Sequence, residues 1–531
     1  MGTRLVLQAF ERYQKERVAF VSGVAEMAKG AQNVDALRQA GVFGLLGPLL
    51  LDPVPSVQLS AATALARLAG FSDDLAAEVA RLGLLPHLAA SLGTQSRFQK
   101  RAAAKCLRAV AKHGADLAGA VAGCGALKGL TGCLEEFDPS VKEEAAWTLG
   151  YVACHTPALA QQVVGANAVA LLVLAAQEPE LGLRRVAASA LADIAKHSPE
   201  LAQAVVDAGA VGHLVALVTS TDGGVRRHAC LALAAVAGHS ADLAEAVVAA
   251  DAFPRALTGL KFPADERVRR AAATLVREVV KHRADLATTL VSSGAAGAMV
   301  DQVAEARGNA RLPGVMALGF IAAFSETLAL AIIAEKGLAP LVATLTDEPE
   351  DYLKAAAAWS IGQVARHTPE HARAAADAGA LPALVAAEAG AGGAEDLRAK
   401  CRKALKLAVA HLTHLPALDA LAQRPLGEAV LALVLGQAGR VLAHDAPGRA
   451  AWAHSGALAA TQRAGETAPP GSELAEAVQV INSSYPEEIV RYYSPAYPQM
   501  LLQRLDVLAG SAPAPGVGGP PGTTVQHVAA R

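Results

Sequence analysis

The segment HSPELAQAVVDAGAVGHLVALV, His197–Val218, contains a helix start, a helix stop and a second start. Ser198 is suited to cap a helix, and Pro199 to fill its first position, where a missing N–H costs nothing. LAQAVVDA continues the helix until Gly209, a residue that accepts the left-handed conformation of a C-cap. A short second helix follows over Val211–Val218, then the polar loop TSTDGG. A long third helix, Val225–Gly238, places apolar residues at i, i+3, i+4 and i+7.

The same sentence recurs along the chain. HGADLAGAVAGCGALKGL begins at His113, HTPALAQQVVGANAVALLVL at His155 and HSADLAEAVVAADAFPRALTGL at His239; weaker copies begin at His282 and His367. Gly41, Gly83, Gly125, Asn167, Gly209, Asp251, Gly294, Gly337 and Gly379 stand in one register, 42 residues apart with two steps of 43. Asn and Asp are the next-best occupants of a left-handed site after Gly. Gly456 in SGALAA reads as a last echo. One such unit cannot bury its own apolar face, so neighbours must stack into a solenoid.

Composition agrees. Of 531 residues, 124 are alanine, aromatics are only 4% and charged residues 18%, which favours helices with small packed faces over a β-protein. A net charge of −2 argues against a disordered chain and against a globally basic nucleic-acid binder. The longest apolar stretches stop short of the roughly 20 residues of a spanning helix, so no membrane partner is expected. MGTRLVLQAFERYQKER becomes charged too early for a secretion signal, and Val6 stands where a myristoylation signal has Ser or Thr. Cys106, Cys124, Cys133, Cys154, Cys230 and Cys401 form no CxxC pair and read as reduced thiols of a cytoplasmic protein.

The period, the three-helix unit, KEEAAWTLGYVACH (Lys142–His155) and KAAAAWSIGQVARH (Lys354–His367) resemble the armadillo repeat. The expected fold is all-α: a right-handed α-solenoid of about ten armadillo repeats. VLQAFERYQKER (Val6–Arg17), EPELGLRRVAASALADIAKHSPELAQAVVDAGAV (Glu178–Val211), EPEDYLKAAAAWSIGQVARHTPEHARA (Glu348–Ala374) and NSSYPEEIVRYYSPAYPQMLLQR (Asn482–Arg504) further resemble the sperm-associated antigen 6 family. That resemblance implies a non-enzymatic structural scaffold of the ciliary or flagellar axoneme. It implies attachment to a central-pair microtubule (C1) and its projections, contact with other central-apparatus proteins, and a requirement in motility. Self-association is expected from close packing of alanine-rich surfaces. The alternative is a soluble armadillo adaptor for signalling or nuclear transport.

Four features are candidates for function. Lys100, Lys142, Arg184, Arg226, Arg269, Arg311, Lys354 and Arg398 recur at the start of the third helix, doubled by Arg185, Arg227 and Arg270. Cations there oppose the helix dipole, so helix stability is not their reason. They either pair with acidic residues of nearby turns, such as Asp138, Glu178, Glu180, Asp265 and Glu266, or form a ladder of roughly 10 Å steps along an acidic partner such as tubulin. The inner row of the third helices reads Arg67, Ala109, Tyr151, Asp193, Ala235, Glu278, Phe320 and Gln363. It lacks the asparagines with which peptide-binding armadillo proteins grip a backbone, which weakens the adaptor reading. The mixed row instead suits specific protein surfaces.

His113, His155, His197, His239, His282 and His367 end successive third helices. Neighbouring rings would stand too far apart to share a metal, and their expected role is to meet free carbonyls at helix ends. At the C-terminus, Tyr485, Arg491, Tyr492, Tyr493 and Tyr497 form either an end cap or a docking element. No GxxxxGK[ST], GxSxG or HExxH occurs, so neither catalysis nor a cofactor is expected. The expected layout is a helical cap over 1–40, the solenoid over 41–465 with degenerate repeats after about 390, a Tyr/Pro-rich segment over 466–509, and a disordered tail over 510–531.

Overall fold

The computed structural model describes residues 2–261 and 265–510, and among these the regular structure is helix. The tail expected to be disordered lies, beyond Gly510, outside the described residues. The chain falls into two compact units, Met1–Leu407 and Ala408–Arg531. The expected solenoid span, 41–465, crosses that division.

In the first unit the repeat drawn from His197–Val218 is a helix Pro199–Asp207, a short helix Ala210–Leu217 and a long helix Gly223–Ala237. Ser198 Oγ accepts the Leu201 N–H at 3.3 Å, which satisfies one orphan donor of the first turn. The long helix starts two residues before the expected Val225, because Asp222 is the cap and accepts the Val225 N–H at 2.7 Å. Successive long helices stack in chain order, from Gly2–Met27 on Pro55–Ala69 through to Leu312–Phe324 on Asp351–Ala365. Their buried faces are mostly Ala and Leu: Ala187, Ala188, Ala190 and Leu191 are at most 2% exposed. Burying one such leucine is worth about 1.5–3 kcal/mol.

The left-handed positions mostly fall where the register puts them. Gly41, Gly83, Gly125, Asn167, Gly209, Asp251, Gly294, Gly379 and Gly456 all have positive φ. Gly337 is the exception and corrects the expected register: its φ is −66°, and Lys336, at +60°, makes the left-handed turn. Gly337 is needed for room instead, since a Cβ there would lie 2.6 Å from Ile332 Cγ2 and 2.9 Å from Val300 Cγ2.

The N-terminal helix Gly2–Met27 seats only its second half, through the buried Val21, Val24 and Ala25. Asp52, 4% exposed, anchors it through Arg17 at 2.6 Å. Leu5, Val6, Leu7, Phe10 and Tyr13 remain exposed.

The second unit contains helices Leu415–Ala422, Glu428–Leu442, Ala446–His454, Ala457–Thr467, Glu473–Asn482, Glu487–Tyr493 and Tyr497–Gly510. Glu428–Leu442 packs on Glu473–Asn482, and Trp452 is a large fully buried side chain of the unit.

Candidate functional site

The basic ladder is largely tied up inside the protein. Lys100 pairs with Glu136 and Lys142 with Glu178, both at 2.5 Å, and Arg269 pairs with Glu305. Each acid stands 36 residues on, Glu136 and Glu178 in the turn before the next long helix and Glu305 at the end of the helix Ala295–Glu305, so every pair joins two repeats. Arg184 meets Ser220 at that spacing, and its Nε donates to the Glu178 carbonyl instead. Arg226 meets Phe262 in the sequence, and its buried Nε has no partner among the described residues. Lys354 lies 3.7 Å from Asp351, and Arg398 donates to the Gly392 carbonyl.

Arg311 requires a correction. It is 3% exposed and bonded to Glu348, 6% exposed, at 3.0 Å, so it belongs to the interior and not to a surface row.

The doubling arginines differ. Arg227, Arg267, Arg270 and Arg277 line a groove of about 410 Å³ across the long helices Gly223–Ala237, Glu266–Val280 and Leu312–Phe324. Of the four, only Arg277 has an ion pair among the described residues, with Glu278.

The inner row is also engaged internally. Arg67 donates to the Ala25 carbonyl, Ala109 is buried and Ala235 half-buried, and Tyr151 stacks on Trp147 at 5.5 Å. Asp193 holds Lys196 at 2.8 Å, Glu278 holds Arg277 and Lys281, and Phe320 meets Trp359 edge-on at 5.1 Å. Gln363, 5% exposed, accepts from Arg366 at 2.9 Å.

Each histidine of the series reaches a carbonyl, but one in the preceding repeat. Nε2 of His113, His155, His197 and His239 donates to Ala69, Ala111, Ala153 and Ala195 at 2.7–2.8 Å. His282 and His367 do the same to Ala237 and Ala322. The ring therefore ties the ends of two stacked long helices together. Burial, ahead of nearby cations, pushes His282 and His367 below the usual imidazole range. The unfolded chain then binds more protons than the folded one, so the stability from these rings is present above their ordinary pKa and lost as pH falls below it. The unfolding temperature is expected to drop between about pH 7.5 and about pH 5.5, bracketing the ordinary imidazole value. Thermal melts of H282Q/H367Q should show a smaller drop; an equal drop would place the proton uptake elsewhere.

No three His, Cys, Asp or Glu side chains among the described residues are arranged to hold a metal. Cys106, Cys133, Cys230 and Cys401 are buried, and burial raises Cys106 and Cys230 to about 12. No single described helix is long and apolar enough to cross a membrane, although three bent helix pairs match a span in length and composition.

At the C-terminus, Tyr485 donates its hydroxyl to the Arg449 carbonyl at 2.9 Å, and burial raises its pKa to about 12. Tyr492 contacts Tyr493 and Tyr497 at 5.2 and 5.4 Å yet is 62% exposed. Arg491 is held by Glu487 at 2.6 Å. Tyr485 is thus fixed as a packing residue, while Tyr492 and the exposed Leu501, Leu502 and Leu505 present an uncovered apolar face. Trp452, in contrast, is a core residue that the sequence pattern does not single out.

The armadillo/beta-catenin-like repeat family matches residues 115–154 and 198–234. Over 163 residues the chain is 52% identical to sperm-associated antigen 6 of Homo sapiens and 51% identical to that of Mus musculus. The match covers 30% of this chain and 31% of each relative, so it spans about a third of the length of those curated proteins. The crystal structure of an engineered protein superposes with a TM-score of 0.64 at 22% identity, covering 83% of this chain and 98% of that one, which bears on the fold alone. A non-enzymatic repeat scaffold fits both fold and relatives. The chain folds as a helical solenoid that contains armadillo repeats and, over 163 residues, is similar in sequence to sperm-associated antigen 6.

Proposed function

We propose that this protein is a structural scaffold of the ciliary or flagellar axoneme, binding and stabilising a central-pair microtubule (C1) and its projections and required for motility. The observation that carries the reading is the 52% identity to sperm-associated antigen 6 over 163 residues, joined to a fold of stacked repeats. The relatives' name points to sperm, and a stacked solenoid can hold partners at fixed intervals. Candidate partner contacts are the half-buried Tyr151 and Phe320 on the inner row, and the exposed Tyr492 and half-buried Tyr497 at the C-terminus. Self-association and contacts with other central-apparatus proteins belong to the same reading.

The test is a tagged full chain in ciliated cells. It should localise to the central pair, and its loss should stop or disorganise beating. Nuclear accumulation with normal beating after loss would favour the adaptor alternative and overturn the proposal.

A further inference from the structure

In the second unit a groove of about 540 Å³ opens between the helices Ala446–His454 and Glu487–Tyr493. Its base is fixed. The half-buried Tyr485 donates its hydroxyl to the Arg449 carbonyl at 2.9 Å, and Arg449 Nη1 donates to the Leu442 carbonyl at 2.9 Å. Pro486, Ile489, Tyr492 and Tyr493 complete the wall, with Ile489 and Tyr492 exposed. The rings brace one another: Tyr492 lies 5.2 Å from Tyr493, edge-on, and 5.4 Å from Tyr497. Tyr485 spends its hydroxyl on the protein, whereas those of Tyr492 and Tyr493 are donors without a partner among the described residues.

A braced aromatic wall with phenolic donors suits proline. The pyrrolidine ring lies against an aromatic face, and a polyproline II stretch has no internal hydrogen bonds, so its carbonyls accept from the hydroxyls. Proline also enters with its φ already fixed, which lowers the entropy lost on docking. The chain itself supplies such a segment. The helix Tyr497–Gly510 starts at the wall, where Tyr497 touches Tyr492, and its 14 residues span about 20 Å. SAPAPGVGGPPGTT, 511–524, follows. At about 3.1 Å per residue, Pro513 and Pro515 reach only about 9 and 16 Å from Gly510, short of the way back. Pro520 and Pro521, ten and eleven residues past Gly510, can travel about 31–34 Å and do reach the wall. Gly516, Gly518 and Gly519 permit the reversal of direction this needs.

We propose that this groove binds the diproline Pro520-Pro521 of the chain's own C-terminal segment, which covers Tyr492 until a competing ligand displaces it. A partner that uses Tyr492 must then compete with a segment tethered beside it, at an effective concentration in the millimolar range. The inference does not rest on the axonemal reading, since it concerns the purified chain alone.

The experiment is fluorescence anisotropy of the labelled peptide APGVGGPPGTT, residues 514–524, added to the full chain and its variants. P520A/P521A vacates the groove and should bind the peptide about tenfold more tightly than the unchanged chain, because the tethered competitor is gone. P513A/P515A should bind as the unchanged chain does. Y492A placed in the P520A/P521A background should abolish the gain; should it fail to fold by circular dichroism, Y492S takes its place with the same expected direction. Equal binding by P520A/P521A and the unchanged chain, the same gain in P513A/P515A, or a gain that survives loss of the Tyr492 ring would each overturn the proposal. So would a gain accompanied, in light scattering, by dissociation of a dimer, since the segment would then sit in a second copy. The assay uses purified protein, so its failure leaves the localisation result in cilia standing, and the converse holds.

Discussion

Glu348→Ala is expected to destabilise the first unit by about 3–5 kcal/mol, the cost of stranding one partner of a buried ion pair. Arg311 and Glu348 are 3% and 6% exposed and 3.0 Å apart. Arg311 Nε also donates to the Ala306 carbonyl at 2.7 Å, and the Gly308 N–H donates to Glu348 Oε1 at 3.1 Å. The pair thus fixes the short 3₁₀ turn Gly308–Ala310 and the start of the helix Leu312–Phe324 against the loop before the next repeat. Removing the carboxylate leaves a guanidinium in the interior with no counter-charge. Glu136→Ala breaks the equivalent pair with Lys100, where the side chains are 15% and 31% exposed and water can take over, so its cost should be smaller. R311M/E348L, which removes both charges, should recover most of the loss. Denaturant melts, with hydrogen exchange read along Leu312–Phe324, distinguish these cases. Equal losses for Glu348→Ala and Glu136→Ala would refute the assignment of Arg311 to the core.

How far the sequence carries the fold is decided by the range of each interaction. The apolar period, the Ser198 cap and the glycine register are local patterns. They depend on residues within one turn or one joint, and they are legible. Even there Gly337 misleads, because glycine serves equally for positive φ and for close approach, and only the contact with Ile332 and Val300 tells which. The histidines show the intermediate case. Their place at a helix end is visible, but the carbonyl they bind lies 44 or 45 residues earlier and depends on how repeats stack. The ladder is a harder case: pairing with turn carboxylates such as Glu178 is one of two readings open in the sequence, and which cation meets which acid is not legible. The carboxylate that meets Lys142 is 36 residues away, and nothing in a local window couples them. Arg311 keeps the ladder's spacing while its surroundings close over it. Conversely, Arg227 and Arg270 look like mere duplicates in the sequence, and only the folded arrangement shows that they form no ion pair among the described residues.

Gly319→Ala is expected to lower stability by about 1–3 kcal/mol, the usual cost of overpacking a filled core. The sign is opposite to what the helix alone prefers, since alanine in a helix interior is favoured over glycine by about 1 kcal/mol. At Gly319 the long helix Leu312–Phe324 runs against Asp351–Ala365, and a Cβ would fall 2.2 Å from Trp359 Cζ3 and 2.5 Å from Ser360 Oγ. Neither neighbour yields easily. Trp359 is a rigid ring with Phe320 edge-on at 5.1 Å, and the buried Ser360 hydroxyl donates to the Val315 carbonyl at 2.8 Å. Shifting Ser360 would leave that buried hydroxyl unbonded, a further cost of about 1–3 kcal/mol if it is complete. Gly119, inside the helix Ala115–Gly123, is the control: nothing lies within 4 Å of its Cβ position, so Gly119→Ala should raise stability by about 0.5–1 kcal/mol. The two variants make the same chemical change in helices of the same solenoid and are expected to move the melting temperature in opposite directions. If Gly319→Ala stabilises as Gly119→Ala does, the long helices do not approach at Gly319 as closely as described, and the packing of Trp359 must be redrawn.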